Sequence, residues 1–351
     1  MDYPRVSIII LNWNGWRDTI ECLESLYRIN YPNYDMIVVD NDSKDESIEK
    51  IKEYCNGTIE VNSKFFKYSE DNKPIKVFEI SEDKARSNKF LEKEEYEKLN
   101  PNKRMILIKN KDNYGFAGGN NVGIKFALDV LNSKYVLLLN NDTVVDKDFL
   151  IEMVKVAESD EKIGIVGSKI YYYDYDGRSD VVWFAGGGIN TKTGYGWHEG
   201  DHTIDNRAYN KIKEFDFITG CSMLLKKEIL EKLKGLDELY FACYEDSDLS
   251  IRAKKLGYKC VYIPKSILWH KLGVSGNGSP ASVYYQTRNR ILFVRKHNAF
   301  IDYILFLIWF LSYDSVKKFI YFIFLKKNFQ LFKAYCKAVF DGIKGRGGKG
   351  I

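Results

Sequence analysis

Three short apolar runs, Val6 to Leu11, Met36 to Val39 and Tyr135 to Leu139, each pass directly into polar residues: Asn12, then Asp40-Asn41-Asp42-Ser43, then Asn140-Asn141-Asp142. A strand that is apolar at every position, rather than at alternate ones, is buried on both faces. Helical spacing follows the first run at Thr19 to Ile29, and Asp45 can cap a helix through Tyr54. Met105 to Ile108 and then Asn121 to Leu131 repeat the alternation. Strands alternating with helices imply an α/β fold around a mostly parallel sheet, whose ligands bind beyond the carboxyl ends of the strands. The polar residues at those ends are therefore the candidate site.

Composition removes several other classes. With 45% hydrophobic and 29% charged residues in 351, the chain is neither fibrous nor disordered. No apolar run reaches the roughly 18 residues that cross a bilayer, and Met1 to Leu11 has neither a basic leader nor a cleavage site. The six cysteines form no C-x-x-C pair, so reduced thiols in a cytoplasmic protein are expected. The net charge of +5 is local: from Ile301 to Ile351 nine lysines and arginines stand against three aspartates, and 14 aromatic residues lie between Phe300 and Phe340. A basic, aromatic segment of this kind suits an anionic membrane surface better than nucleic acid, and an ordinary helical hairpin packed on the body of the chain or on a second subunit, in a homodimer, is the alternative.

The middle of the chain breaks the pattern. Residues 56–104 are dense in charge with little apolar periodicity, which predicts a surface insertion. Glycines at 186–188 and between Gly194 and Gly200 predict hairpins. Helical spacing returns at Lys226 to Lys234 and at Asp246 to Leu256, closed by Gly257. Two short strands, Lys259 to Ile263 and Ile267 to Trp269, precede a basic helix over Arg288 to Lys296.

Four constellations carry possible chemistry. Asp40 leaves a strand end, where it can accept hydrogen bonds from a nucleobase or ribose or simply shape a helix-capping loop. Asp142, beyond a later strand, suits a hard divalent cation that bridges phosphates. The stretch Asn113-Tyr-Gly-Phe-Ala-Gly-Gly-Asn-Asn-Val-Gly123 allows close backbone approach to a phosphate at a helix N-terminus. Tyr244-Glu245-Asp246-Ser247-Asp248 sets three acids at a helix start, either as a dipole-complementing first turn or as the seat of a general base. His198-Glu-Gly-Asp-His202 matches the H-E-x-x-H string of zinc proteases, but that string works only on a helix, and the surrounding glycines predict surface-loop histidines instead. His270, ending the Ile267 to Trp269 run, can reach the same sheet edge as Asp142.

In this order the motifs V-S-I-I-I-L-N-W-N-G, V-V-D-N-D-S, N-Y-G-F-A-G-G-N-N-V-G, L-L-L-N-N-D-T, F-I-T-G-C-S-M and Y-E-D-S-D-L-S-I-R-A-K-K-L-G-Y resemble the inverting family 2 glycosyltransferases of the GT-A fold, and among them the rhamnosyltransferase-like branch. The resemblance covers roughly residues 4 to 297. It implies that Asp40 binds the nucleoside, Asp142 is the carboxylate of a D-x-D-type site for Mg²⁺ or Mn²⁺, His270 is its second ligand, and Asp246 is the catalytic base. It places Asn12, Asn41, Asp42, Asn113, Gly118, Gly119, Asn120, Asn121, Asn141, Gly220, Glu245 and Arg288 along the substrates. Asn140 stands at the first acidic position of D-x-D, so the metal is expected to arrive with the nucleotide diphosphate. Gln286-Thr-Arg-Asn-Arg290 only loosely matches the Q-x-x-R-W of processive synthases, which favours single addition.

The expected organisation is a GT-A glycosyltransferase domain over 1–297 and an amphipathic helical segment over 298–351. The expected activity is transfer of one sugar from a nucleotide diphosphate sugar, thymidine diphosphate rhamnose first and a uridine diphosphate sugar second, to a saccharide or lipid-linked saccharide acceptor at the inner face of the cell membrane. A nucleotide-sugar-binding member of an assembly complex, without turnover, is the alternative, and Asn140 is its support.

Overall fold

A computed structural model of the chain describes residues 3–272 and 278–351. The first half alternates β1 (Val6–Asn12), α1 (Trp16–Leu26), β2 (Tyr34–Asp40), α2 (Ser47–Asn56), β3 (Lys76–Ser81), α3 (Glu82–Arg86), α4 (Lys93–Lys98), β4 (Arg104–Lys109), α5 (Gly115–Asp129) and β5 (Tyr135–Asn140). Strands β1, β2, β4, β3 and β5 pair in parallel, and the apolar residues of β1, β2 and β5 are buried throughout, as their unbroken runs require. The register levels their ends: Asn12 lies beside Asp40, Leu11 beside Asn140, and Asp40 beside Lys109. One sheet edge thus collects the polar ends.

The second half extends this sheet with strands of mixed direction. It runs β6 (Thr143–Val145), α6 (Phe149–Ala157), β7 (Ile163–Tyr172), β8 (Val181–Phe184), β9 (Gly187–Asn190), β10 (Tyr195–His198), β11 (Thr203–Ile204), β12 (Lys213–Phe215), β13 (Ser222–Lys226), α7 (Lys227–Leu233), α8 (Glu245–Lys255) and β14 (Lys259–His270). β13 runs antiparallel between β5 and β7, so its first residues start at the edge where β5 ends. β9 and β10 form the hairpin that the glycines predict. The two short strands expected at 259–263 and 267–269 are one strand, β14, whose pairing with β7 slips between Ile263 and Ile267. Pro264 lies at that slip and has no N–H to give a ladder.

The charged stretch 56–104 is not a surface insertion. It contributes β3 to the sheet edge and buries Phe78, Ile80, Phe90 and Tyr96 in the main core. Only alternate residues of an edge strand face the core, so its apolar positions are scattered among lysines and glutamates. Asp35 of β2 ties the stretch down. Fully buried, it accepts from Arg5 at 2.7 and 3.0 Å, from Arg104 at 3.2 Å and from the Tyr96 hydroxyl at 2.9 Å.

After β14 come α9 (Pro280–His297), α10 (Phe300–Trp309), α11 (Ser315–Ile320) and α12 (Phe329–Lys344), with wide π-type turns at Phe310–Asp314 and Tyr321–Leu325. α12 packs on α9 through Tyr335 and Ala338 and receives a hydrogen bond from Tyr284 to Asp341 at 2.7 Å. Residues beyond 298 therefore continue the packing of α9 and are not a detachable appendage. Among the described residues no helix is long and apolar enough to cross a membrane.

Removing one partner of a buried ion pair strands the other charges, at a cost of roughly 3 to 5 kcal/mol. Asp35→Ala should lower unfolding stability by about that amount in urea titration, because Arg5 and Arg104 lose their common acceptor. A midpoint unchanged from the parent would show that Asp35 does not anchor this part of the fold.

Candidate active site

The end of β2 builds a turn. The Asp40 carboxylate is buried and accepts from Asn12 Nδ2 at 2.8 Å, Ser43 Oγ at 2.6 Å and Ser43 N–H at 3.0 Å. Asn41 then links this turn to the β4–α5 loop, donating to Asn113 Oδ1 at 3.0 Å and the Gly115 carbonyl at 3.1 Å while accepting from Asn110 at 3.0 Å. Above lies a cavity of about 860 Å³. Asn41, Asp42, Lys44, Asp112 and Asn113 line one end, Asn140, Trp183 and His270 the other, and Trp13, Phe116, Phe241 and Tyr285 the walls.

At the second end, β6 pairs antiparallel with the last residues of β14, setting Thr143 opposite His270. That register brings His270 Nε2 to 3.0 Å from Asp142 Oδ1, and Lys271 N–H donates to the Asp142 carbonyl at 2.9 Å. Burial opposes a charge on His270, but Cys221 and Asp142 outweigh it and push its pKa up to about 10. Burial also pushes the Cys221 thiol above its ordinary value. Trp183 packs edge-on against both His270 and His198, at ring distances of 4.6 and 4.9 Å.

His198 belongs to this neighbourhood and is not a surface-loop residue. It sits on β10 between Trp183, Phe184 and Phe217, with burial holding its pKa below the usual imidazole value. The H-E-x-x-H string is a strand and turn, so its two histidines share no helix face.

The three acids of α8 have three environments. Glu245 is buried, and desolvation, reinforced by Asp246, drives its pKa well above the usual carboxylate range. Asp248 is fully buried against Arg252 Nε at 2.6 Å, Lys296 Nζ at 2.6 Å and His297 Nε2 at 2.8 Å. Burial opposes its ionisation, but the hydrogen bond from His297 and the charges of Arg252 and Lys296 outweigh it and hold its pKa below the usual range. Asp246 alone is partly open. Gly220 N–H donates to its Oδ2 at 2.9 Å and Ser247 N–H to its Oδ1 at 2.6 Å, fixing the carboxylate beside Gly220; Phe116, which also neighbours Gly220, lines the cavity, whereas Asp246 itself does not. Asp246, His198 and His270 interact electrostatically, as do Asp142, Asp246 and Cys221.

Several expected contacts fall elsewhere. α5 begins at Gly115, so Gly118, Gly119, Asn120 and Asn121 lie inside the helix and not in a loop before it. A Cβ on Gly119 would come within 2.6 Å of Leu11, so glycine there lets α5 lie close on β1. Asn120 donates to the Phe116 carbonyl, and Asn121 to Leu236 and Glu238. Asn141 donates to Thr19 and the Gly15 carbonyl. Arg288 is fully buried, over the rings of Tyr284 and Tyr285, and donates to the Gly348 carbonyl at 2.6 Å. Conversely, Trp183, Lys44 and Asp112 line the cavity without having stood out in the sequence, whereas Trp13 and Phe116 lie inside its first and third motifs.

Residues 74–292 match the family described as "Glycosyltransferase like family 2", and residues 7–78 match "Glycosyl transferase family 2". The rhamnosyltransferase WbbL of Escherichia coli is 26% identical over 165 residues, 43% of this chain and 58% of that protein. The N-acetylglucosaminyl-diphospho-decaprenol L-rhamnosyltransferase of Mycobacterium tuberculosis is 28% identical over 99 residues, 27% of this chain and 32% of that protein. The chain spans between 11% and 58% of the length of the curated relatives it matches. Among solved structures, the mannosyltransferase PcManGT from Pyrobaculum calidifontis, in complex with GDP-Man and Mn²⁺, superposes with a TM-score of 0.53 at 14% identity, over 98% of this chain and 76% of that one. The shared fold is GT-A.

Proposed function

From a chain that belongs to glycosyltransferase-like family 2, in its rhamnosyltransferase-like branch, we propose an inverting glycosyltransferase that moves one sugar from a nucleotide diphosphate sugar to an acceptor hydroxyl. The observation that carries this reading is the environment of the α8 acids. Glu245 is buried, Asp248 is spent on Arg252, Lys296 and His297, and Asp246 presents a partly open carboxylate held by two backbone N–H groups. A single accessible carboxylate suits a general base that takes the acceptor proton during one displacement; a second, nucleophilic carboxylate beside it is what retention by double displacement would need. Asn41, Asp42 and Asn113 sit at the nucleoside end of the cavity, with Asp40 and Asn12 holding their turn from below.

Asp142 and His270 fit a metal only in company. Among the described residues no three metal-ligating side chains converge, and one carboxylate with one imidazole leaves most of a Mg²⁺ or Mn²⁺ shell to the donor diphosphate and water. When bound, such an ion would neutralise the leaving diphosphate. Asp142 would supply its carboxylate at the strand end, and His270, whose pKa is raised beside Cys221 and Asp142, must release its proton before it can ligate. PcManGT, crystallised with Mn²⁺, supports this reading. The relatives' names favour a rhamnose donor and a lipid-linked acceptor.

The basic aromatic segment fits peripheral attachment to an anionic bilayer. Phe300, Leu305, Ile308, Phe324, Leu325 and Phe329 are exposed, whereas Tyr303, Phe306, Phe310, Phe322 and Tyr335 form its inner core. Lys317, Lys318, Lys326, Lys327 and Lys333 interleave with that outer face, each worth about 1 kcal/mol at an anionic surface. A lipid-linked acceptor would be presented there.

Asp246→Asn should lower kcat for sugar transfer by about 10²- to 10⁴-fold while leaving donor affinity nearly intact, measured with thymidine diphosphate rhamnose or the uridine diphosphate sugar that binds best. Turnover close to the parent would remove Asp246 from the mechanism. Chelation should abolish most transfer, and Mn²⁺ or Mg²⁺ should restore it; activity indifferent to chelator would exclude the metal. The full chain should sediment with anionic liposomes at low salt and be released at high salt, and Phe324→Ser with Leu325→Ser and Lys326→Glu should abolish that binding. A parent chain that ignores such liposomes and runs as a dimer would favour the homodimer instead.

A further inference from the structure

We infer that segment 345–351, the stretch after α12, forms a wall of the nucleotide cleft and that Lys349 on it positions the diphosphate of a nucleoside diphosphate; this rests on the donor-site reading above. The segment is laid across the cavity rim by backbone bonds. Gly348 N–H donates to the Leu239 carbonyl at 2.9 Å, Arg288 to the Gly348 carbonyl at 2.6 Å, and Gly350 N–H to the Tyr285 hydroxyl at 3.1 Å. Lys337 adds a bond to the Gly350 carbonyl at 3.1 Å. The approach is close: a Cβ on Gly347 would lie 2.7 Å from the Leu239 carbonyl oxygen, so a side chain there would lift the segment from its seat.

This path puts Lys349 on the cavity wall together with Lys44, Asp42 and Asp112. Lys349 Nζ rests on Asp112 Oδ1 at 3.0 Å, and Lys44 Nζ on Asp42 Oδ1 at 2.6 Å. Both amines act on Asp112: Lys349 foremost, and Lys44 more weakly, hold its carboxyl below the usual range. The Lys349 and Asp112 side chains are 56% and 58% exposed, and an ion pair so exposed is weak. It gives way readily to a ligand of higher charge.

A diphosphate is such a ligand, and this cleft needs cations for it. Asn140 stands where a second acid would help hold a metal, so on the donor-site reading one carboxylate and one imidazole leave much of the diphosphate charge unmatched. The lysines that line the cavity are Lys44, from the loop before α2, and Lys349, from more than 300 residues away in sequence. The segment thus supplies by tertiary placement a charge that the strand-end motifs lack. Arg288, expected along the substrates, acts at one remove by holding the Gly348 carbonyl.

The test is titration calorimetry on the full chain with uridine, thymidine and guanosine diphosphates and the matching nucleosides. Lys349→Ala should weaken the best-binding diphosphate about tenfold and Lys349→Glu further, Lys349→Arg should retain it, and the nucleoside should be unaffected. Gly347→Val should reproduce the Lys349→Ala loss with the lysine still present, its melting curve confirming that it folds. Lys344→Ala, outside the cavity, should bind like the parent. Diphosphate affinity unchanged in Lys349→Ala and Lys349→Glu, or a loss shared equally by the nucleoside, overturns the inference while leaving the donor site standing. A parent chain that binds none of the diphosphates overturns the donor-site reading and this inference with it.

Discussion

Everything in this molecule that bears on chemistry depends on burying the central strands on both faces. Ile8, Ile9, Ile10, Ile37, Val38 and Leu138 have no exposed surface, so none of these positions tolerates a polar side chain without loss of packing. Polar groups are therefore driven to the strand ends, and the parallel register makes those ends level. Asn12, Asp40 and Asn140 fall in one row because Val6, Tyr34 and Tyr135 are paired at the start of the same strands. The cleft follows from that row, because parallel strands leave their carboxyl ends facing loops and not further sheet.

The second half of the chain completes the site by running the other way. β13 descends from Gly220 and Cys221 at the same edge, and β14 returns beside β6 so that His270 meets Asp142. The start of α8 is held there by Gly220 N–H on Asp246 and by Asn289, which donates to the Ala242 and Cys243 carbonyls. Three neighbouring acids in the sequence thus become three different groups. Desolvation acts on Glu245, ion pairing on Asp248, and Asp246 accepts backbone N–H bonds from Gly220 and Ser247. Identity of residue type says little about role until the partners are in place.

What could be read from the sequence divides along the same physical line. The strands β1, β2 and β5, the hairpin β9–β10 and the start of α8 are local: apolar runs, glycine spacing and clustered acids each specify structure within a few residues. The contribution of 56–104 was hidden because an edge strand buries only Phe78 and Ile80 among charged neighbours, a weak pattern next to a fully buried run. Gly118 to Asn121 were misplaced because glycine and asparagine suggest a loop, while the close packing of α5 on β1 required the glycine inside a helix. Nothing local connects Lys349 to Asp112, or Arg288 to Gly348, since those contacts span 237 and 60 residues. Such links exist only once α12 has packed on α9.

The account stands on a direct displacement assisted by one carboxylate, and the anomeric configuration of the product reports on that step more directly than any rate. Proton NMR of the transfer product should show the new glycosidic bond with the configuration opposite to that of the sugar in the nucleotide donor. A product that retains the donor's configuration would contradict a direct displacement with Asp246 as its base.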